Sequence, residues 1–323
     1  MEAFNGSELL FRIVVDTAGH VLGTVTDGDV RRAILQGKST SALINECMWK
    51  NPKIVQSADD PSIPRLLQDV PFVPLVDDEG VLQYVAVETS AAQGVRTALI
   101  MAGGFGKRLG KLTRDRPKPL VTVGDKPILD HVLTLLETAD VEEIYISVHH
   151  MAEQIERFVG KRENRSNIHL VEESKKLGTA GALGLLPPSS HPVLIFNADV
   201  VSSTDLLALH LHHERRMHDA TIAVAKYDVP IPYGVVRQND DGLFLRIDEK
   251  PVLSNFIAAG IYYLSPEFQS LITQGDPIDM PDLLNLGRMA GLTIGLFPIH
   301  EYWIDVGRPE ELSQANRDWE AGS

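Results

Sequence analysis

The run Thr97-Ala98-Leu99-Ile100-Met101 passes almost directly into Gly103-Gly104-Phe105-Gly106, and that junction restricts the fold more than any other stretch of the chain. A short β-rich apolar run reads as a buried strand, which needs helices packed against it. The glycines that follow let successive backbone N–H groups turn toward an anion with no side chain in the way. The same alternation continues downstream. A helix opens near Pro127 with Ile128, Val132, Leu133 and Leu136 at helical spacing, followed by a strand at 144–148, a helix at 151–159 and a strand at 168–171. Such βα repetition predicts an α/β architecture, a parallel sheet wrapped by helices. Val193-Leu194-Ile195-Phe196 ends at Asn197-Ala198-Asp199, which places Asp199 just past the carboxyl end of a buried strand, the edge where open sheets bind ligands.

Charge narrows the partners. With 30 Lys+Arg against 44 Asp+Glu the formal net charge is −14, which argues against nucleic acid or an anionic membrane as partner, since both require a positive face. An anionic substrate would need a local basic pocket, and the glycine loop supplies one: Lys107, Arg108, Lys111, Arg114 and Arg116 lead into Pro117-Lys118-Pro119. Guanidinium and ammonium groups bind phosphate oxygens well; the plain alternative is a solvated basic loop. The loop is not a Walker A, because Arg108 follows Lys107 where Ser or Thr is needed. Its glycine spacing also misses the dinucleotide fingerprint, which disfavours an oxidoreductase. A lone Cys47, no targeting pattern at the N-terminus and no apolar run of about 20 residues predict a cytoplasmic protein outside the membrane.

The first ninety or so residues differ in kind. Ile13-Val14-Val15-Asp16 and Val73-Pro74-Leu75-Val76-Asp77 are similar strand-like runs, each followed by a turn and a second apolar run, which suggests a weak internal repeat. Small polar residues from Thr89 to Gly94 mark a boundary between a module at 1–92 and a larger domain at 96–323.

The loop resembles the signature of the sugar-nucleotide pyrophosphorylase family, GGxGxRL followed by PKP. Further matches come in family order: Leu177-Gly178-Thr179-Ala180-Gly181, Asn197-Ala198-Asp199, Tyr233-Gly234-Val235-Val236, Glu249-Lys250-Pro251 and Trp303-Ile304-Asp305-Val306-Gly307. The resemblance implies a Rossmann-like, GT-A-like α/β nucleotidyltransferase fold with a mixed, mainly parallel sheet, in an enzyme that joins a nucleoside triphosphate to a sugar 1-phosphate. It also implies roles. Gly103, Gly104, Gly106, Lys107, Gly178 and Thr179 would bind the nucleotide, the last two by opening a helix whose N–H groups face base or sugar. Arg108 and Lys118 would act on its phosphates, Asp199 and Asp305 would hold Mg²⁺, and Gly234, Glu249 and Lys250 would take the sugar phosphate. Lys107 stands where the family commonly has Thr, and Ala258 where close relatives often place Asn.

Gly23-Thr24-Val25-Thr26-Asp27-Gly28-Asp29 resembles the CBS motif in which Thr and Asp, here Thr26 and Asp29, grip an adenine nucleotide; a trimmed pairing surface is the alternative. This pairing of modules resembles guanylyltransferases that activate glucosamine 1-phosphate for bacterial legionaminic acid, so GTP is the expected donor and a homo-oligomer the expected assembly. Mannose or heptose 1-phosphate guanylyltransfer, uridylyl or thymidylyl transfer, and a catalytically silent nucleotide sensor remain open. His210, His212, His213 and His218 read as the solvated surface of a helix begun by Ser202 or Ser203, and His149-His150 as a loop pair.

Overall fold

The computed structural model describes residues 10–87, 94–104, 106–162 and 167–322. The chain divides into two compact units, Met1–Gln93 and Gly94–Ser323; the junction residues 88–93, where the sequence places most of its boundary, lie outside the described residues.

The first unit holds β1 (Phe11–Val15), β2 (Val21–Thr26), α1 (Asp27–Leu35), α2 (Ile63–Asp69), β3 (Phe72–Val76) and β4 (Leu82–Val87). The internal repeat is visible in its two antiparallel hairpins, β1–β2 and β3–β4. Each turns through the same device: Asp16 Oδ1 accepts from the N–H groups of Ala18 and His20, and Asp77 Oδ1 from those of Glu79 and Val81. Gly19 and Gly80 supply the positive φ that follows, at 92° and 85°. The turns also bond to one another, Val21 N–H to Gly80 and Leu82 N–H to Gly19, relating the hairpins reciprocally. Val25, Val30 and Ile34 fill one small core and Val55, Val73 and Leu75 a second.

The second unit runs β5 (Thr97–Met101), β6 (Thr122–Val123), β7 (Lys126–Pro127), α3 (Ile128–Thr138), β8 (Glu143–Val148), α4 (Ala152–Val159), β9 (Ile168–Glu172), β10 (Val193–Asn197) and β11 (Val200–Ser202). It continues with α5 (Leu206–Arg216), β12 (Ala220–Pro230), β13 (Val235–Gln238), β14 (Phe244–Asp248), β15 (Val252–Leu264), α6 (Pro266–Ser270), α7 (Met280–Met289), β16 (Ile294–Pro298), β17 (Trp303–Asp305) and α8 (Pro309–Gly322). Seven strands form the central sheet in the order β16-β12-β15-β10-β5-β8-β9. Of these only β15 runs antiparallel to its neighbours, so the sheet is mixed and mainly parallel. Leu99, Ile195, Tyr262, Leu264, Phe268 and Leu283 belong to one core on this sheet. A satellite core of Leu109, Val121, Val123, Ile128, Val201, Val306 and Ala315 clamps the loops beyond the strand ends. The far halves of β12 and β15 project with β13 and β14 as an exposed arm.

The histidine helix departs from expectation. Its cap is Asp205, whose carboxylate accepts from Ala208 N–H at 2.8 Å, while the Ser202 hydroxyl is spent on Thr204 and the Tyr302 carbonyl. His213 is not solvated: it is 3% exposed, with Nδ1 3.0 Å from the Thr221 hydroxyl. Burial drives its pKa down to about 4, so the ring stays neutral. His218 lies past the helix, beyond its cap Met217. Among the described residues no helix is long and apolar enough to cross a membrane.

Candidate functional site

The site grows from the carboxyl ends of β5 and β10, which run in parallel with Met101 opposite Asn197. The Ala198 N–H donates to the Met101 carbonyl, tying the two exits together. Asp199 then leads into β11, which pairs antiparallel with β17 so that Val200 faces Asp305. The Val306 N–H closes the ladder on the Asp199 carbonyl at 2.8 Å. One short ribbon thus brings together two carboxylates more than a hundred residues apart in sequence.

Lys118 meets them from a third direction. Pro117 caps a single 3₁₀ turn at Lys118–Leu120, and flanking prolines restrict the backbone on either side. The lysine is 8% exposed; its Nζ lies 2.5 Å from Asp199 Oδ2 and 4.0 Å from Asp305 Oδ1. Gly106, at φ 63°, lets the loop lie on this lysine, since a Cβ there would stand 3.0 Å from both Lys118 Cβ and Thr113 Cγ2. Burial, then the charge of Asp199, pushes the Asp305 carboxyl up to about 6, against the opposing pull of Lys118 and Arg108. Asp199 Oδ1 and Asp305 Oδ1 are buried without a hydrogen-bond partner among the described residues. Two adjacent carboxylates with orphaned oxygens suit a hard divalent cation that takes its remaining ligands from phosphates and water. No cluster of three or more metal-ligating side chains occurs among the described residues.

Beside this charge cluster opens a cavity of about 190 Å³ lined by Met101, Ala102, Gly103, Gly104, Lys118, Pro119, Glu173, Lys176, Gly178, Thr179 and Asn197–Asp199. Glu173 is the unexpected member. It is 4% exposed, its Oε2 accepts from the Leu177 N–H at 3.0 Å, and His149 Nδ1 lies 2.8 Å from its carbonyl. A Cβ on Gly103 would come within 2.7 Å of Glu173 Oε1, which is the physical reason for glycine there. Glu172 beside it is exposed, and a pair of acids at a strand end gives no signal that tells the two apart.

The other expected residues separate by position. Gly103, Gly104, Lys118, Gly178, Thr179 and Asp199 line the cavity. Arg108 lies beside Asp305, its Nη2 3.3 Å from where a Cβ on Gly307 would sit, and Lys107 is exposed on the loop. Gly234, Glu249 and Lys250 sit on the exposed arm and do not line the cavity; Glu249 Oε2 would be 3.0 Å from a Cβ on Gly234. Thr179 does not open a helix. Its N–H donates to Asp279 Oδ1 at 2.9 Å, and the following 3₁₀ turn begins only at Gly181. In the first unit Thr26 and Asp29 bond to each other at 2.7 Å and cap α1.

Residues 97–322 match the family model described as nucleotidyl transferase, and the chain belongs to that family. It is 33% identical over 232 residues to a mannose-1-phosphate guanylyltransferase catalytic subunit beta from Drosophila pseudoobscura pseudoobscura, covering 69% of this chain and 62% of that relative. It is 34% identical over 224 residues to a mannose-1-phosphate guanyltransferase from Schizosaccharomyces pombe, covering 66% and 61%. The chain therefore spans less than two thirds of the length of these curated relatives. A crystal structure of HddC from Yersinia pseudotuberculosis superposes with a TM-score of 0.54 at 25% identity, over 70% of this chain and all of that one. These matches leave the legionaminic acid subgroup and the CBS pair without support and favour the mannose alternative.

Proposed function

We propose that this member of the nucleotidyl transferase family moves GMP from GTP to a hexose 1-phosphate, mannose 1-phosphate being the first candidate acceptor. The observation that carries the reading is the meeting of Lys118, Asp199 and Asp305 at the edge of a glycine-walled cavity. An oxygen of the sugar phosphate attacks the α-phosphorus of GTP, the bond from that phosphorus to the bridging oxygen breaks, and pyrophosphate leaves. Negative charge gathers around one phosphorus, so positioned cations supply most of the catalysis and no protein nucleophile is required. Lys118, freed from Asp199 as substrate arrives, neutralises the α-phosphate, and Arg108 takes up charge on the leaving pyrophosphate. Asp199 and Asp305 would hold Mg²⁺, which would supply positive charge to offset the negative charge of the phosphates.

Guanine is favoured by Glu173. A buried carboxylate in the cavity wall accepts from the adjacent N1–H and N2–H₂ groups of guanine, whereas uracil and thymine offer a single N–H between two carbonyls. Mannose 1-phosphate is favoured by the likeness to mannose-1-phosphate guanylyltransferases. Glu249 and Lys250 on the arm are the proposed sugar-phosphate contacts. The N-terminal unit enters as a CBS-type module whose adenine-nucleotide contacts would fall on Thr26 and Asp29; AMP or ATP that altered neither kcat nor KM would remove that role.

The test is pyrophosphate release with Mg²⁺ over a grid of GTP, UTP, dTTP, CTP and ATP against mannose, glucosamine, glucose and heptose 1-phosphates. Release with GTP and mannose 1-phosphate is the expected result. A signal with GTP and glucosamine 1-phosphate would move the acceptor, a signal with UTP or dTTP would overturn the base, and nucleotide binding without release would favour a silent sensor.

A further inference from the structure

The cavity wall at Gly178 and Thr179 is held from outside by the start of α7. The Ile278 N–H donates to the Leu177 carbonyl at 2.9 Å, and the Ala180 N–H to the Ile278 carbonyl at 3.0 Å. Between these two backbone bonds the side chains trade partners. Thr179 gives both its N–H and its hydroxyl to Asp279 Oδ1, at 2.9 and 3.2 Å, and its Oγ1 in turn accepts from the Met280 N–H at 2.8 Å. Asp279 is the cap residue of α7, yet makes no side-chain cap bond to its own helix. The orphan N–H at the start of α7 is satisfied by a threonine a hundred residues away, and the threonine's own N–H by the aspartate. Gly178 is pressed against the same point at φ 81°, where a Cβ would stand 2.5 Å from the Ile278 carbonyl oxygen and 2.8 Å from Asp279 Oδ1.

We infer that Asp279 is a positioning residue for the nucleotide: through Thr179 it fixes the Gly178–Thr179 wall against which the nucleotide rests, without touching substrate. Three features place it there. The acceptor is a carboxylate oxygen that takes both the N–H and the hydroxyl of Thr179. The exchange is reciprocal, so loss of either side chain leaves a donor unpaired. And the cavity lining includes Gly178 and Thr179 but not Asp279. A wall that wanders by even 1 Å forfeits much of the benefit of a preorganised site.

This inference rests on the reading of the cavity as a nucleotide site. Asp279→Ala, Asp279→Asn and Thr179→Val are compared with the unaltered full-length chain, using binding of each of the five triphosphates by calorimetry and, for the reactive pair, steady-state kinetics. Asp279→Ala is expected to weaken triphosphate binding and raise its KM about tenfold, with the sugar-phosphate KM within about twofold. Asp279→Asn, which keeps an acceptor oxygen, should recover most of the loss, and Thr179→Val should fall between. A thermal shift in Asp279→Ala with unchanged triphosphate binding well below its melting point would overturn the positioning role and leave a purely structural one. Rises in both KM values together would do the same. Should Asp279→Ala fail to fold, the folded Asp279→Asn and Thr179→Val carry the comparison: both indistinguishable from the parent in triphosphate binding would overturn it. A parent that binds a triphosphate other than GTP refutes the guanine assignment and leaves this test intact; one that binds none of the five refutes both.

Discussion

At the scale of single residues, the charge cluster and the cavity wall are separable by substitution. Asp199→Asn keeps the shape of the side chain and its hydrogen-bonding capacity toward Lys118 but removes half of the negative charge of the carboxylate pair. Turnover should drop at least about a hundredfold, with the thermal midpoint little changed, if the lost charge is one of the two proposed to hold the cation. Near-normal turnover would remove Asp199 from the metal pair. Glu173→Gln tests base choice. The amide presents one acceptor and one donor in place of two acceptors, so it fits a guanine edge poorly and a uracil edge better. The ratio of kcat/KM for GTP to that for UTP should fall at least about tenfold, and an unchanged ratio would mean that Glu173 only packs against Gly103. Asp199, Asp305, Lys118 and Arg108 were expected as a set because each lies in a short motif that resembles the family's. Glu173 and Asp279 were not, since their roles arise from what they meet across the fold: the Gly103 backbone in one case, Thr179 in the other.

At the scale of elements, helix α5 carries a titration that its sequence conceals. His213 is held neutral, its pKa lowered from 6.5 to about 4 mainly by burial. In the unfolded chain the same ring takes up a proton near 6.5. Between those values the unfolded state binds more protons, so stability falls as pH drops from about 6.5 toward 4 and is unaffected by this group at higher pH. Melting temperatures from pH 7.5 to 4.5 should show this loss, and His213→Asn should start lower, having lost its packing, but decline less steeply across the window. Equal slopes in the two proteins would assign the acid sensitivity elsewhere. The sequence reading put a helix here but began it at Ser202 or Ser203, carried it on to His218 and took its histidines as solvated, whereas α5 spans Leu206–Arg216 behind Asp205 and buries His213. Serine and aspartate are comparable caps, and the choice fell to Asp205 because the Ser202 hydroxyl is claimed by Thr204 and by the Tyr302 carbonyl.

At the scale of the whole molecule, each unit carries its own buried clusters, and the family match begins at Thr97. A chain of residues 94–323 should therefore retain the proposed nucleotidyl transfer with kcat/KM within about threefold of the full chain, as read by pyrophosphate release at matched concentrations. A folded but inactive fragment would show that the N-terminal unit takes part in the reaction itself. What the sequence by itself determined is everything that depends on neighbours along the chain: strand and helix periods, the glycine loop, the proline-flanked lysine and the repeat of the first unit. Those signals are local because backbone sterics and the burial of one face act within a few residues. Only the tertiary structure decided which chain segments meet. The β11–β17 ribbon brings Asp199 to Asp305, Gly103 packs against the buried Glu173, and the start of α7 claims Thr179 from the helix that its own segment was expected to form. These outcomes rest on hydrogen bonds and packing between residues far apart in the chain, for which composition and spacing carry no record.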